Sequence, residues 1–126
     1  MQNNKNYDPW ADLVIAMLST GGYRLEKSFK HIDGLRDCGL MNPLQLSLLN
    51  HKSIAQKLVA SGYNRGPVLT EIFSDRLFSL RSLAENFEKN TKILSDGSRE
   101  EIEILLKNIK GVGPFVIDSF LLLRGK

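Results

Sequence analysis

The sequence is poor in the residues that build several common kinds of site. It contains one cysteine, Cys38, and a single thiol forms neither an internal disulfide nor a zinc or iron–sulfur site. We therefore expect an ordinary half-buried thiol and no iron–sulfur cluster. The histidines, His31 and His51, fall in separate predicted elements without the carboxylate spacing of a metal site, and we expect both at the surface.

Long apolar runs are also absent. No stretch reaches the roughly 20 residues needed to cross a bilayer, and residues 1–7 are polar, unlike a signal peptide. These absences predict a soluble intracellular protein with no membrane partner, located in the cytoplasm, nucleoid or nucleus. The 126 residues with 42% apolar content suit a single domain over 1–126. The net charge of +3 permits nucleic-acid binding without establishing it.

Helical periodicity and turn residues alternate along the chain, and strand-like alternation is missing. Asp8 and Pro9 predict the N-cap and first position of a helix that ends at Gly21-Gly22. Further apolar stripes predict short helices between glycines and prolines: Leu25, Phe29 and Ile32; Leu44, Leu48 and Leu49; and Ile54, Leu58 and Val59. Gly66 and Pro67 open the longest predicted helix, which carries Leu69, Ile72, Phe73, Leu77, Leu80 and Leu83. We therefore predict an all-α fold with about seven or eight short helices.

Residues 98–125 carry the most specific pattern, a predicted helix-hairpin-helix. Ser98 and Glu101 predict a capping box at the start of an amphipathic helix. The segment Gly111-Val112-Gly113-Pro114 then predicts a tight reversal, with the proline at the first position of a second helix. Because residues 115–123 are almost all apolar, we expect this last helix to be buried on most sides.

The hairpin is a predicted site for a phosphate group. The N–H groups that begin the second helix have no partners inside it, and the helix dipole favours an anion there. Gly111 and Gly113 let a DNA backbone approach closely, while Val112 between them points inwards and keeps the hairpin rigid. Lys107 and Lys110 add positive charge beside it. The alternative interpretation is a plain αα-corner whose glycines serve only the turn.

The same residues resemble a known family. The run from Leu106 to Pro114, followed by Leu121-Leu122-Leu123-Arg124-Gly125, is similar to the helix-hairpin-helix DNA glycosylases, the superfamily of endonuclease III and the 3-methyladenine glycosylases. The opening helix and the turn Gly62-Tyr63-Asn64-Arg65 also resemble parts of that family, so the similarity covers most of the chain. The resemblance implies a six-helix-barrel bundle with a C-terminal helix-hairpin-helix, and a DNA-binding domain acting in base-excision DNA repair.

Positions around the hairpin take predicted roles from the motif and the resemblance. The residues expected to contact the DNA phosphate backbone are Lys107, Lys110, Gly111, Val112, Gly113, Phe115 and Val116. By resemblance, the carbonyl groups of Lys107, Ile109 and Val112 match the positions that hold a monovalent cation, Na⁺ or K⁺, between protein and phosphate.

Departures from the family concern catalysis. Family members that also cleave the strand carry a lysine where this chain has Phe115, so we expect no lysine-dependent lyase activity. Members that only remove the base use an aspartate in a loop beyond the last helix, and this sequence ends at Lys126, ahead of that position. Any N-glycosylase activity is therefore expected to need an aspartate from outside the chain. Asp118 is the nearest acid, and we interpret it as a structural residue.

The region after the first helix bears on how DNA is contacted. Gly21 stands where the family usually has a glutamine that fills the gap left by a flipped base, which argues against base extrusion by the family's route. Tyr23 and Arg24 follow, and either contact DNA on the hairpin face or simply begin the next helix.

The last helix predicts a protein partner as well. Its apolar groups surround nearly the whole circumference, so we expect self-association or a second subunit to cover it. A non-catalytic helical protein-interaction module, using the same hairpin to bind a partner, is the alternative function.

Overall fold

A computed structural model describes residues 8–20 and 24–126, and the predicted roles of Gly21 and Tyr23 lie outside these ranges. The α-helices are α1 (Pro9–Leu18), α2 (Leu25–Phe29), α3 (Ile32–Asp37), α4 (Pro43–Leu46), α5 (His51–Ala60), α6 (Pro67–Ser79), α7 (Phe87–Asp96), α8 (Arg99–Leu106) and α9 (Pro114–Leu123). A 3-10 helix, Leu80–Ala84, continues α6. Because the described ranges contain no strand, the all-α prediction is confirmed. Within the same ranges, no helix is long and apolar enough to cross a membrane.

Helix α1 is the centre of the fold. Asp8 caps it as predicted, accepting a hydrogen bond from the N–H of Ala11 at 2.9 Å, and Pro9 occupies its first turn. Every residue of α1 is buried, and α2, α6, α7 and α9 pack around it. A helix with no polar face is stable only when other elements enclose it. The surrounding helices are therefore arranged so that together they bury α1.

The turn at residues 62–65 closes the carboxyl end of α1. Tyr63 is fully buried, and its hydroxyl donates to the carbonyl oxygen of Leu18 at 2.6 Å. Arg65 donates to the carbonyl oxygen of Thr20 at 2.7 Å. The last carbonyl groups of a helix have no partner within it, so these bonds satisfy groups that burial would otherwise penalise.

Several short elements differ from their predicted form. The stripe of Leu25, Phe29 and Ile32 is divided between α2 and α3 rather than forming one helix. Helix α4 has a single turn and buries Leu46, whereas Leu44 and Leu48 are 46% and 85% exposed. The predicted apolar stripe of α4 is therefore wrong, because one turn is too short to repeat a face.

Helix α7 was not predicted from the apolar pattern. It begins after Asn86, whose backbone is left-handed with φ of 58°, and buries Asn90 and Leu94. The ring of Phe87 stacks on Trp10 of α1 with centroids 5.4 Å apart. Helix α7 is polar on average but strongly amphipathic, so the helical period was present in its sequence and the prediction missed it.

Helix α9 is only partly enclosed. Val116, Ile117, Ser119, Phe120, Leu121 and Leu123 are buried. Phe115 and Leu122 are 58% and 69% exposed, and Asp118 lies on the same face between them. The expectation of burial on most sides is correct for the face towards α1 and wrong for this outer stripe, because no described helix covers it.

Candidate nucleic-acid interface

The hairpin between α8 and α9 is built from local backbone bonds. Helix α8 begins with the predicted capping box, in which Ser98 and Glu101 exchange side-chain-to-backbone hydrogen bonds. At the other end of α8, the N–H of Ile109 donates to Leu106 and the N–H of Val112 donates to Ile109, each at 3.0 Å. The side chain of Val112 is 7% exposed. Val112 therefore points into the protein, as the sequence predicted.

Helix α6 packs against this hairpin. The hydroxyl of Ser79 donates to the carbonyl oxygen of Lys110 at 2.6 Å. Gly111 has φ of 87°, and a Cβ added there would lie 2.7 Å from Cγ of Arg76. Gly111 is therefore required by the turn and by close packing, which is the structural role that the αα-corner interpretation assigns to both glycines.

The first backbone N–H groups of α9 have no hydrogen-bond acceptor within the helix. Its N-cap is Gly113, which has no side chain to cap the helix, and Pro114 at the first position has no N–H. The first N–H with an intrahelical partner is that of Ile117, which donates to Gly113 at 3.1 Å. The N–H groups of Phe115 and Val116 remain at the positive end of the helix dipole. Val116 is 2% exposed as a whole residue, so its predicted contact with DNA stays a prediction.

Gly113 differs from Gly111 in having no structural reason to be glycine. Its φ of −102° and ψ of −174° describe extended backbone, which any residue adopts. A Cβ added at Gly113 would meet no atom within 4 Å. Serine, aspartate and asparagine are better N-caps than glycine. The small size of this residue therefore keeps open the approach to the first N–H groups of α9.

The predicted lysines have different surroundings. Lys107 is exposed and follows directly after α8. The side chain of Lys110 is 78% exposed, and its Nζ lies 3.4 Å from Oδ2 of Asp75 on α6. An exposed ion pair contributes at most about 1 kcal/mol, so a phosphate can compete with the carboxylate for Lys110.

The predicted cation site rests on backbone oxygens of the hairpin. The carbonyl of Ile109 already accepts the N–H of Val112, which leaves its second lone pair for a cation. Lys107 and Val112 belong to the same turn and would supply the other carbonyl oxygens. The monovalent cation at these three carbonyl groups stays a prediction. Side-chain ligands offer no alternative in the described ranges, where no three His, Cys, Asp or Glu residues are grouped to hold a metal.

The carboxyl end of α1 lies on the hairpin side of the molecule. Arg76, whose stem underlies Gly111, donates from Nη1 to the hydroxyl of Thr20 at 2.9 Å. Thr20 directly precedes the segment 21–23, and Arg24 beyond that segment is exposed. Arg24 therefore stays a candidate DNA contact, and Tyr23 lies outside the described residues.

The sequence predicted both histidines at the surface and gave no sign of the contact between His51 and Asp75. His51 is half-buried, with Nε2 at 3.3 Å from Oδ1 of Asp75. His31 is also half-buried beside Tyr63, and burial together with nearby Lys27 and Lys30 lowers its pKa. No local signal could reveal the His51 contact, because its partner lies on another helix. Asp118, by contrast, is exposed on the outer face of α9.

A cavity of about 530 Å³ adjoins the hairpin. It is lined by His51, Glu71, Ile72, Asp75, Arg76, Lys110 and Gly111. Charged groups of both signs therefore surround the space next to the turn. Comparison of the chain with protein-family models, curated proteins and solved structures finds no match.

Proposed function

We propose that this chain is a DNA-binding domain whose helix-hairpin-helix holds the phosphate backbone of duplex DNA. Gly113 is the observation that carries the proposal. Neither backbone conformation nor packing requires glycine there, and without a side chain it cannot cap the first N–H groups of α9, which begin at Phe115. Phosphate oxygens are suited to such donors at a helix N-terminus, and Lys107 and Lys110 add charge nearby.

The family resemblance extends the proposal to fold type and biological role. The enclosure of α1 by α2, α6, α7 and α9 supports a six-helix-barrel arrangement. Under this hypothesis the domain is of the helix-hairpin-helix DNA glycosylase type and acts in base-excision repair. Removal of a base would require an aspartate from outside these 126 residues, and the backbone carbonyls of the hairpin would hold a monovalent cation.

A salt-dependent titration with duplex DNA tests the binding function. We expect weak binding with little sequence preference, because contacts to phosphate carry no direct sequence information. With about two to four phosphates engaged, log K should fall with log salt at a slope of roughly −2 to −4. A flat salt response, or no binding at low salt, would falsify the proposal.

Two substitutions of Gly113 locate the site. Gly113→Ser should raise the free energy of unfolding by a few tenths of a kcal/mol, because serine caps a helix better than glycine. The same hydroxyl would occupy an N–H needed by phosphate and lower DNA affinity by about tenfold. Gly113→Val should abolish binding, since its side chain blocks the backbone approach. Unchanged affinity in the folded valine variant would place the DNA site elsewhere.

A protein-interaction module is the second candidate function. The outer stripe of α9, with Phe115 and Leu122 exposed, favours it. Burial of two large apolar side chains at an interface would contribute about 1.5 to 3 kcal/mol each. A partner held by this stripe would be insensitive to Gly113→Ser, whereas DNA held by the hairpin would not.

A further inference from the structure

Asp75 lies between a lysine ammonium group and a histidine imidazole that belong to different elements. Its Oδ2 is 3.4 Å from Nζ of Lys110 on the hairpin, and its Oδ1 is 3.3 Å from Nε2 of His51 in the first turn of α5. The three side chains are all partly exposed and line the cavity beside Gly111. A carboxylate thus competes directly for one of the lysines that the proposed function assigns to phosphate.

We propose that Asp75 restrains Lys110 as a counter-ion and that protonation of His51 releases this restraint, so that DNA affinity rises as the pH falls. The inference rests on the proposed function of the hairpin. It adds that Asp75 and His51, which are not among the predicted DNA contacts, regulate phosphate binding.

The charge balance of the cluster gives the direction of the effect. With His51 neutral, the charges of Asp75 and Lys110 cancel, and a phosphate must displace the carboxylate. With His51 protonated, two cations share one carboxylate and the cluster carries a net positive charge. At separations near 4 Å in water a unit-charge interaction is about 1 kcal/mol, which corresponds to a several-fold change in affinity. Salt should screen the effect, since the groups are exposed.

The backbone around the cluster is held in place. Asp75 and Ser79 are four residues apart on one face of α6, where Ser79 bonds the Lys110 carbonyl. On the other side, Ser74 donates to the carbonyl of His51 at 2.9 Å, and Asn50 caps α5. The carboxylate, the ammonium group and the imidazole therefore come from three elements joined by hydrogen bonds.

Other charged groups around His51 are few and of both signs. Lys52 neighbours it on α5, Glu71 and Arg76 come from α6, and Lys110 comes from the hairpin. The ring of Phe78 lies 5.5 Å from the imidazole. Among these groups only Asp75 lies within ion-pair distance of His51 in the described part of the chain.

Binding measurements on variants test the restraint. Fluorescence anisotropy with a labelled duplex at low salt should show the intact chain binding about two- to fivefold more tightly at pH 5.5 than at pH 7.5, the range in which histidine titrates. Asp75→Asn should bind about three- to tenfold more tightly than the intact chain at pH 7.5, because Lys110 loses its competitor. Equal affinity of the two chains would overturn the restraint.

The role of His51 is tested with matched histidine variants. His51→Gln should remove the pH dependence, while His31→Gln should keep it. Asp12 also titrates in this range but is retained in both variants. A pH dependence that survives His51→Gln would overturn the role of His51.

A measurement without DNA separates the two hypotheses. In an NMR pH titration of the free chain, Asp75→Asn should shift the protonation of His51 to lower pH, and Lys110→Gln should shift it to higher pH. DNA binding with an unmoved His51 titration and unchanged Asp75→Asn affinity overturns the restraint alone. Absence of DNA binding in every variant overturns the proposed function, and the restraint with it, even where the NMR shifts occur.

Discussion

The side-chain stem of Arg76 lies directly beneath Gly111. A Cβ added to the glycine would lie 2.7 Å from Cγ and 3.2 Å from Cβ of Arg76, and the backbone φ of 87° is itself unfavourable for other residues. Arg76 also bonds Thr20 and lies over the ring of Phe73, with 5.1 Å from its guanidinium carbon to the ring centroid. The turn of the hairpin is therefore packed onto a side chain that is itself immobilised.

This contact predicts that substitutions of the two hairpin glycines have different effects on the free energy of unfolding. Gly111→Ala should lower the free energy of unfolding by about 1 to 3 kcal/mol, through backbone strain and the contact with Arg76. Gly113→Ala is the control and should change it by less than about 1 kcal/mol, because its extended backbone and open surroundings tolerate a methyl group. Urea denaturation followed by circular dichroism measures both, and equal losses would contradict the distinction.

The lysines of the hairpin should contribute to DNA affinity without sequence preference. Lys107→Gln should weaken binding to all duplexes alike and reduce the magnitude of the salt slope by about 1. Lys89→Gln is the control, since Lys89 is exposed on α7, outside the hairpin. A salt slope that is unchanged by Lys107→Gln, or reduced equally by Lys89→Gln, would argue against phosphate contact at the hairpin.

The buried carboxyl of Asp12 should make stability depend on pH. Arg124 donates to its Oδ2 at 2.9 Å, but Oδ1 has no partner among the described residues, and burial raises the pKa from 3.8 to about 6. The folded state therefore binds this proton more tightly than the unfolded chain. The resulting stability is present below pH 3.8 and is lost as the pH rises to about 6, by up to about 3 kcal/mol.

Asp12→Asn tests this contribution. The amide does not titrate, so the decline in unfolding free energy between about pH 4 and pH 6 should become flatter in the variant. Thermal or urea denaturation at several pH values measures the slope. Parallel pH profiles for the two chains would show that Asp12 is not responsible.

Chemistry with abasic DNA should be absent for the intact chain. Phe115 is exposed beside the hairpin, where the resembling lyases carry lysine, and a phenyl ring cannot form a Schiff base. Borohydride added to the chain with abasic duplex should therefore trap no covalent complex. Phe115→Lys supplies the comparison, since it adds an amine at that exposed position. A trapped complex with the intact chain would refute the prediction, and mapping the linked residue would identify the amine.

The outer stripe of α9 should associate with another surface. We expect sedimentation over a range of concentrations to show a dimer or larger species, because Phe115 and Leu122 leave a large apolar area exposed. Leu122→Ser should shift the chain towards monomer. Leu48→Ser, at an 85% exposed leucine that follows α4, is the control and should not. A strict monomer that binds no apolar dye would defeat the prediction.

Local sequence signals identified the starts of α1 and α8 and the turn between α8 and α9. The cap of α1 at Asp8, the capping box of Ser98 and Glu101, and the turn at Gly111 all depend on residues within four positions of each other. Such short-range bonds and φ preferences act wherever the segment lies, so the amino-acid pattern predicts them well. The inward side chain of Val112 follows from the same local geometry.

The sequence by itself thus determined the helical class, the N-caps of α1 and α8 and the turn of the hairpin. Tertiary structure alone decided that α1 rather than α9 is enclosed, since both helices are strongly apolar and only packing distinguishes them. It also decided that Gly111 is structural while Gly113 is free of contacts. Asp75 meets His51 and Lys110 only because three separate elements converge, and pairings across such distances leave no periodic trace in a single sequence.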